Sequence, residues 1–426
     1  MKVKSIIKKF GQVVGNSVYT SPARALNLLK IGYKLNYIKV KIIPDRGLLP
    51  HQKYVSYISN RAIIDPLDNP QNSAIVNIFF PCQILHAMDI LPQFTEGLAC
   101  FLNGAGCEQA FIEYAEDFGI PQTYCSYHKV LLGAILSNVI PPPKFVATTS
   151  LACDANSTTF RTIADHYKVP YYMVDVPNSY TEDAITYVAG QLRELVAIIE
   201  DLVGRKMEED RLRQTINASN SSIRKYKEHL NMLPNKYISS TLTMEMFKIF
   251  PSHILLGTDE ADKYFQLLLE DTKSARKSKG EKRILWVHTM PFWQESIKSM
   301  LNFNEGCQLL PCDINFDCLV EMDENKPYES MAKRLLLNIA NGVGENRARA
   351  LIKMAKKLKA DGVVYFCHWG CKHTLGNVHL VSELLKEEGF PVLILDGDGC
   401  DRKNVNDGQM ATKLQAFLEM LGVDNI

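Results

Sequence analysis

Four side chains able to bind a metal, Cys367, His368, Cys371 and His373, fall within seven consecutive residues of this chain. Zinc is the first ion such a set suggests, but the C-x2-C pairs of structural zinc are missing elsewhere in the sequence. The C-x2-C-x2-C run of a ferredoxin is missing too. An iron–sulfur cluster would therefore have to be assembled from cysteines far apart in the chain, thiolate being its natural ligand. A turn at a strand end could present that thiolate with backbone N–H groups beside it to tune its potential. The chain has eleven cysteines. In a reducing compartment these are core filler, reactive thiols or metal ligands, and their odd number and scattered spacing fit a disulfide framework poorly.

Three of the eleven share a context. Cys125 lies just ahead of the helical run HKVLLGAIL, Cys153 follows the strand run KFVATTS, and Cys371 follows the strand run GVVYFCHW. All three sit at element boundaries rather than on apolar faces, and that shared placement sets them apart from ordinary buried thiols. Cys367 is the next candidate, although on its strand it could point into the core. Cys82 and Cys400 are intermediate, and Cys100, Cys107, Cys307, Cys312 and Cys318 read as filler. His368 and Lys372 are candidate catalytic residues that could hydrogen-bond a substrate or tune charge, or equally could only orient the turn. Trp369 is as readily a packed aromatic as a shield, and Asp396 and Asp398 fit an Asx-type turn with no chemical duty.

The elements that must position these residues read as α/β. The 426 residues are 46% hydrophobic and 22% charged, enough for two or three domains with real cores. A net charge of +1 argues against nucleic acid as the main partner. No apolar run reaches the ~18 residues of a membrane span, and the start lacks the features of a secretory signal, so a cytoplasmic protein is expected. Residues 1–70 form a basic, mainly helical arm; the first 46 carry ten Lys or Arg and one acid, Asp45. Ser21-Pro22 is the expected helix start within it. The arm could meet a partner or an anionic cofactor, but a solvated basic helix lying on the domain is the favoured reading. Residues 71–205 form a first α/β domain with strands near 73–80, 144–150 and 170–175. Residues 206–280 form a helical connector. Residues 281–426 repeat the pattern as a second α/β domain, with strands near 283–290, 362–372 and 391–396.

The halves overlay. Cys153 precedes Asp175 by 22 residues and Cys371 precedes Asp396 by 25, each pair spanning one helix and one strand. Such units imply parallel sheets with right-handed crossovers, and open parallel sheets bind ligands at the carboxyl ends of their strands. The expectation is two tandem doubly wound parallel-sheet domains facing a cleft. No phosphate-binding loop of the G-x-x-x-x-G-K-[ST] type is present, the paired glycines near 104 and 342 lack a third, and the loop DGDGCDR has Asp401 where a calcium loop needs glycine.

At these residues the chain resembles the 2-hydroxyacyl-CoA dehydratase and benzoyl-CoA reductase subunit family, in particular the D-component of 2-hydroxyglutaryl-CoA dehydratase. The resemblance is carried by TSLACDANSTTFRTIADHYKVPYYMVDVP, RILWVHTMPFW, FCHWGCKHTLG and LILDGDGCDRKNVNDGQMATKLQAFLEML, and more weakly by ILHAMDILPQFTEGLA and IPQTYCSYHKVLLGAIL. It covers about residues 71–426. It implies that Cys125, Cys153 and Cys371 hold one [4Fe–4S] cluster through three irons, the fourth iron being open. It implies dehydration of a 2-hydroxyacyl-CoA to the 2-enoyl-CoA through a ketyl radical, and a homologous second subunit. A separate ATP-dependent iron–sulfur activator would supply the electron, which accounts for the missing phosphate loop. The chain departs from the family at Pro81-Cys82-Gln83, where Pro-x-Glu is common. Three alternatives stay open: a double-cubane reductase with two linked clusters, to which Cys82, Cys367 and Cys400 could contribute; an aryl-CoA reductase subunit; and a non-catalytic, zinc-holding partner subunit.

Overall fold

The computed structural model describes residues 2–423; Met1 and residues 424–426, at the outer ends of the expected arm and second domain, lie outside the described residues. Among the described residues, eight strands form two four-stranded sheets. In the first half these are β1 (Ser73–Val76), β2 (Leu91–Phe94), β3 (Phe145–Thr149) and β4 (Tyr171–Val174). In the second they are β5 (Lys282–Val287), β6 (Cys307–Leu309), β7 (Gly362–His368) and β8 (Val392–Gly397). The orders are β2-β1-β3-β4 and β6-β5-β7-β8, and every pairing is parallel. The expected α/β architecture with two parallel sheets is therefore observed, and both halves share one topology.

Two strands were not legible in the sequence. β2 contains Pro92 and β6 is three residues long around a glutamine, and both are edge strands, where a proline and a weak apolar pattern are tolerated. Strands that were expected also end early. β1 stops at Val76 because the Asn77 amide turns to donate to Thr149 Oγ1 (3.1 Å) and Leu151 O (3.0 Å). β5 stops where His288 adopts φ 75°, a left-handed conformation rare for a side-chain-bearing residue. β7 ends at His368, before Gly370 turns the chain at φ 81°.

β7 is buried along all seven residues, as a central parallel strand must be when helices cover both faces. Its side chains alternate with period two: Val364 and Phe366 enter one core, and Val363, Tyr365 and Cys367 enter the other. Cys367 thus points into the second core, away from His368, whose ring stacks on Phe366 at 6.4 Å.

The arm is three helices, Lys2–Thr20, Pro22–Ile42 and Pro50–Asp68. Pro22 opens the second as expected, but the Ser21 hydroxyl makes no capping bond. Val14, Val18, Ala25, Leu29 and Tyr33 are buried in the larger core, which takes side chains from both halves. Gly11 lies so close to the chain at Gly106 that an added Cβ would come within 2.2 Å of its carbonyl oxygen. The arm therefore lies on the body of the protein, while Ile31, Leu35, Ile38 and Ile42 remain exposed on its outer face. Between the sheets, helices Glu209–Met232 and Asp259–Ser274 pack together through Tyr226 and Phe265. The short elements Leu242–Phe247 and Phe250–Ile254 run between them. A single isolated bridge, Lys236 with Lys277, interrupts this helical stretch.

Candidate functional site

In each sheet the strand order reverses direction about one neighbouring pair, β1 and β3 or β5 and β7, and loops leaving such a switch point open a crevice. The two crevices meet in one cavity of about 150 Å³, lined by the residues following β1, β2 and β3 on one side and β5, β6 and β7 on the other. Cys125, Cys153 and Cys371 all line it.

Each of the three is the residue that caps a helix: Cys125 caps Ser126–Leu136, Cys153 caps Asp154–Tyr167, and Cys371 caps Lys372–Glu387. Three helix N-termini are thus directed at one place, each bringing unpaired N–H groups and partial positive charge that favour anionic sulfur. Gly370 makes the convergence possible. A Cβ there would lie 2.8 Å from Cys125 Cα and 2.8 Å from Tyr124 O, so the turn after β7 rests directly on the backbone of the first half.

Burial, and then the neighbouring Cys371 and Cys153, hold the Cys125 thiol far above its usual range. Burial and Cys371 push Cys153 up to about 12, against the pull of the Asn156 and Ala155 N–H groups. Cys125 and Cys153 thus both feel Cys371 as a charged neighbour, which puts the three side chains within electrostatic reach of one another. Among the described residues, no three His, Cys, Asp or Glu side chains converge on a point suited to one metal ion.

The sulfurs have designed-in donors. His368 Nδ1 accepts the Gly399 N–H (3.0 Å), which places the ring proton on Nε2, 3.4 Å from Cys125 Sγ. The Thr374 hydroxyl donates to Cys371 Sγ (2.9 Å). Behind His368, Asp398 accepts from Ser126 Oγ (2.5 Å) and from the N–H groups of Cys400 (2.9 Å) and Asp401 (2.8 Å), which is the Asx-type turn expected of it.

Several sequence expectations meet a different placement. Lys372 is the first residue of its helix and is exposed; the helix turns His373, not Lys372, into the cavity. Cys82 and Cys400 are buried outside the cavity lining, whereas Cys100, read as filler, lines it. Gln83 is buried against Ser219 and also lies off the cavity, so its departure from Pro-x-Glu does not remove a carboxylate from this site.

Other cavity residues carried no readable spacing signal. Glu96 is the second residue of the helix Thr95–Gly104 after β2; burial raises its carboxyl above the ordinary range, while Thr95 Oγ1 (2.8 Å) and Ile78 N (3.3 Å) donate to it. Asp313 accepts the His288 N–H (2.6 Å) and two bonds from Arg347 (2.9 and 2.5 Å). The remaining Arg347 nitrogen faces His373 Nδ1 at 3.2 Å, and His373 Nε2 reaches Ala340 O at 3.1 Å. Only tertiary contact unites these residues, which come from crossovers of both halves.

A family model described as 2-hydroxyglutaryl-CoA dehydratase, D-component, matches residues 77–421. The chain is 22% identical over 366 residues to the (R)-phenyllactyl-CoA dehydratase alpha subunit of Clostridium sporogenes, covering 80% of this chain and 88% of that protein. It is 23% identical over 378 residues to the lactoyl-CoA dehydratase subunit alpha of Anaerotignum propionicum, with the same coverage. A beta subunit, that of the (R)-phenyllactyl-CoA dehydratase of C. sporogenes, is 20% identical over 262 residues, 59% of this chain and 68% of that subunit. With the matched region containing seven of the eight strands and all three capping cysteines, the chain belongs to the 2-hydroxyglutaryl-CoA dehydratase D-component family, whose relatives here are subunits of 2-hydroxyacyl-CoA dehydratases.

Proposed function

We propose that this protein is the iron–sulfur subunit of an enzyme that converts a 2-hydroxyacyl-CoA to the 2-enoyl-CoA and water. The observation that carries the reading is the lining of one cavity by three helix-capping cysteines from distant parts of the chain. The donor set fits a [4Fe–4S] cluster held by Cys125, Cys153 and Cys371. A cluster spreads its thiolates over several irons, so its ligands need not converge on one point as those of a single ion must. When bound, such a cluster supplies one-electron transfer with the thioester and an open iron that acts as a Lewis acid.

The chain's own residues do the rest. The His368 Nε2 proton and the Thr374 hydroxyl are aimed at sulfur and tune it. The Glu96 carboxyl, raised by burial and set in the cavity wall, is placed to take or return a proton, and the reaction needs one moved from the substrate's β-carbon. The Arg347–Asp313 pair fixes the β5 and β6 loops beside it through the His288 N–H. Cys367, Cys82 and Cys400 lie off the cavity, which supports one cluster rather than two.

Partners follow from the same reading. A homologous second subunit is expected because an alpha and a beta subunit both resemble this chain, and an ATP-dependent activator is needed to deliver the electron. We assign the units as the arm 1–70, α/β domains 71–205 and 281–426, and the connector 206–280. No helix among the described residues is long and apolar enough to cross a membrane, and a cytoplasmic location suits an oxygen-sensitive cluster. The test is anaerobic co-purification with the second subunit and activator. About four irons and four sulfides per chain are expected, falling sharply in C125S, C153S and C371S but not in C367S, with dehydration of a 2-hydroxyacyl-CoA. A colourless zinc protein would refute the reading.

A further inference from the structure

The proposed function leaves the acyl group undefined, and the cavity wall constrains it. Opposite the strand-end loops, the connector contributes Met246, Phe247, Ile249 and Phe250, and the first half contributes Phe79 and Phe94. Phe250 meets Phe94 edge-on at 5.3 Å and Phe247 edge-on at 6.0 Å, so the rings form one continuous apolar surface. Gly97 is what lets the rings close on the helix after β2. A Cβ there would lie 2.4 Å from the Phe94 ring and 2.9 Å from that of Phe250.

Charge on the wall is as informative. Arg347 is the single arginine or lysine among the described residues lining the cavity, and Asp313 holds it through two bonds. The other lining carboxylate, Glu96, is of the wrong sign to receive an acid. A second carboxylate on the substrate would therefore arrive at an apolar surface with no free cation to meet it, an arrangement that strongly disfavours binding. A side chain as small as methyl would leave the ring surface uncovered.

We infer that the enzyme takes 2-hydroxyacyl-CoA substrates whose acyl side chain is apolar and bulky, aromatic or branched, and rejects those carrying a second carboxylate. This rests on the dehydratase reading and narrows it, setting the chain apart from the glutaryl substrate in its family's name. The specificity-determining residues are Phe247 and Phe250 of the connector, with Phe94.

The experiment measures equilibrium binding of unreactive thioesters, 3-phenylpropionyl-, 4-methylpentanoyl-, propionyl- and glutaryl-CoA, to the assembled holoenzyme. The first two are expected to bind about tenfold or more tighter than propionyl-CoA and about a hundredfold tighter than glutaryl-CoA. Phe247→Ala should weaken 3-phenylpropionyl-CoA by about tenfold and leave propionyl-CoA nearly unchanged. Phe247→Arg should raise glutaryl-CoA affinity above that of the parent enzyme, a gain that misfolding cannot produce. Glutaryl-CoA binding as tightly as the apolar thioesters, or no gain in Phe247→Arg, overturns the inference and leaves the dehydratase reading standing. Failure of every thioester to bind overturns the dehydratase reading itself, and the inference with it.

Discussion

Replacing Gly370 with alanine tests how the site is held together. The residue sits at φ 81°, where a side chain costs about 1–2 kcal/mol. Its added Cβ would also stand 2.8 to 2.9 Å from three backbone atoms of Tyr124 and Cys125. Backbone cannot swing aside as a flexible side chain can, and overpacking of this kind costs about 1–3 kcal/mol more. Gly389 provides the control. Its φ is 85°, yet a Cβ there would meet nothing within 4 Å, so G389A carries the conformational cost without the collision. Chemical denaturation of the two variants should place G389A about 1–2 kcal/mol below the parent and G370A about 2–5 kcal/mol below it. Relief of the collision must also displace the β7 turn from Cys125, so G370A alone should purify with depleted iron. If the two variants share one denaturation midpoint and G370A keeps its full iron content, the turn does not set the spacing of the sulfurs and the argument is wrong.

Three further outcomes are expected. Glu96→Gln, which keeps the shape but cannot take up a proton, should lower kcat by about 10² to 10⁴ with iron content unchanged; parental turnover would remove Glu96 from the chemistry. His368→Phe should keep iron but lower the one-electron midpoint by roughly 30–60 mV, because an N–H bond to sulfur strengthens as the sulfur gains charge and is worth about 1 kcal/mol; redox titration decides. Glu281, at the entrance to β5, is a stability probe. Burial acts to raise its carboxyl, but donors from Ser278 (2.7 Å), Arg276 and the Lys279 N–H (2.9 Å) bring it down to about 2 from 4.5. A depressed carboxyl stabilises the fold above its unfolded value and loses that contribution as pH falls from about 4.5 toward 2. Glu281→Gln should thus cost up to about 3 kcal/mol at pH 7 and markedly less near pH 3; an equal loss at both would contradict the sign.

What the sequence disclosed and what it hid have physical reasons. Strands buried on both faces, such as β3 and β7, announce themselves as apolar runs, and the three capping cysteines were found because a boundary between strand and helix is a local pattern. The edge strands β2 and β6 are only four and three residues long and are broken by Pro92 and Gln308, so they carry less signal although they are mostly buried. Glu96, Asp313 and Arg347 are each an ordinary charged residue on an ordinary helix or turn, and only the meeting of the two sheets makes them neighbours. Lys372 shows the reverse error. Adjacency to Cys371 in the chain put it forward, but a helix turns successive side chains by about 100°, and the one that faces inward is His373.

The repeated topology carries a consequence for how such a centre could arise. Duplicating one unit yields equivalent positions in pairs, and Cys153 after β3 and Cys371 after β7 are such a pair. An odd third sulfur can come only from a place where the copies have diverged. Cys125 caps the last helix before β3; its counterpart before β7, Gly344–Leu358, begins after Val343 and instead sends Arg347 inward to Asp313. One copy presents a thiol where the other presents an ion pair, and a four-iron core held as proposed would for that reason have one corner without a protein sulfur.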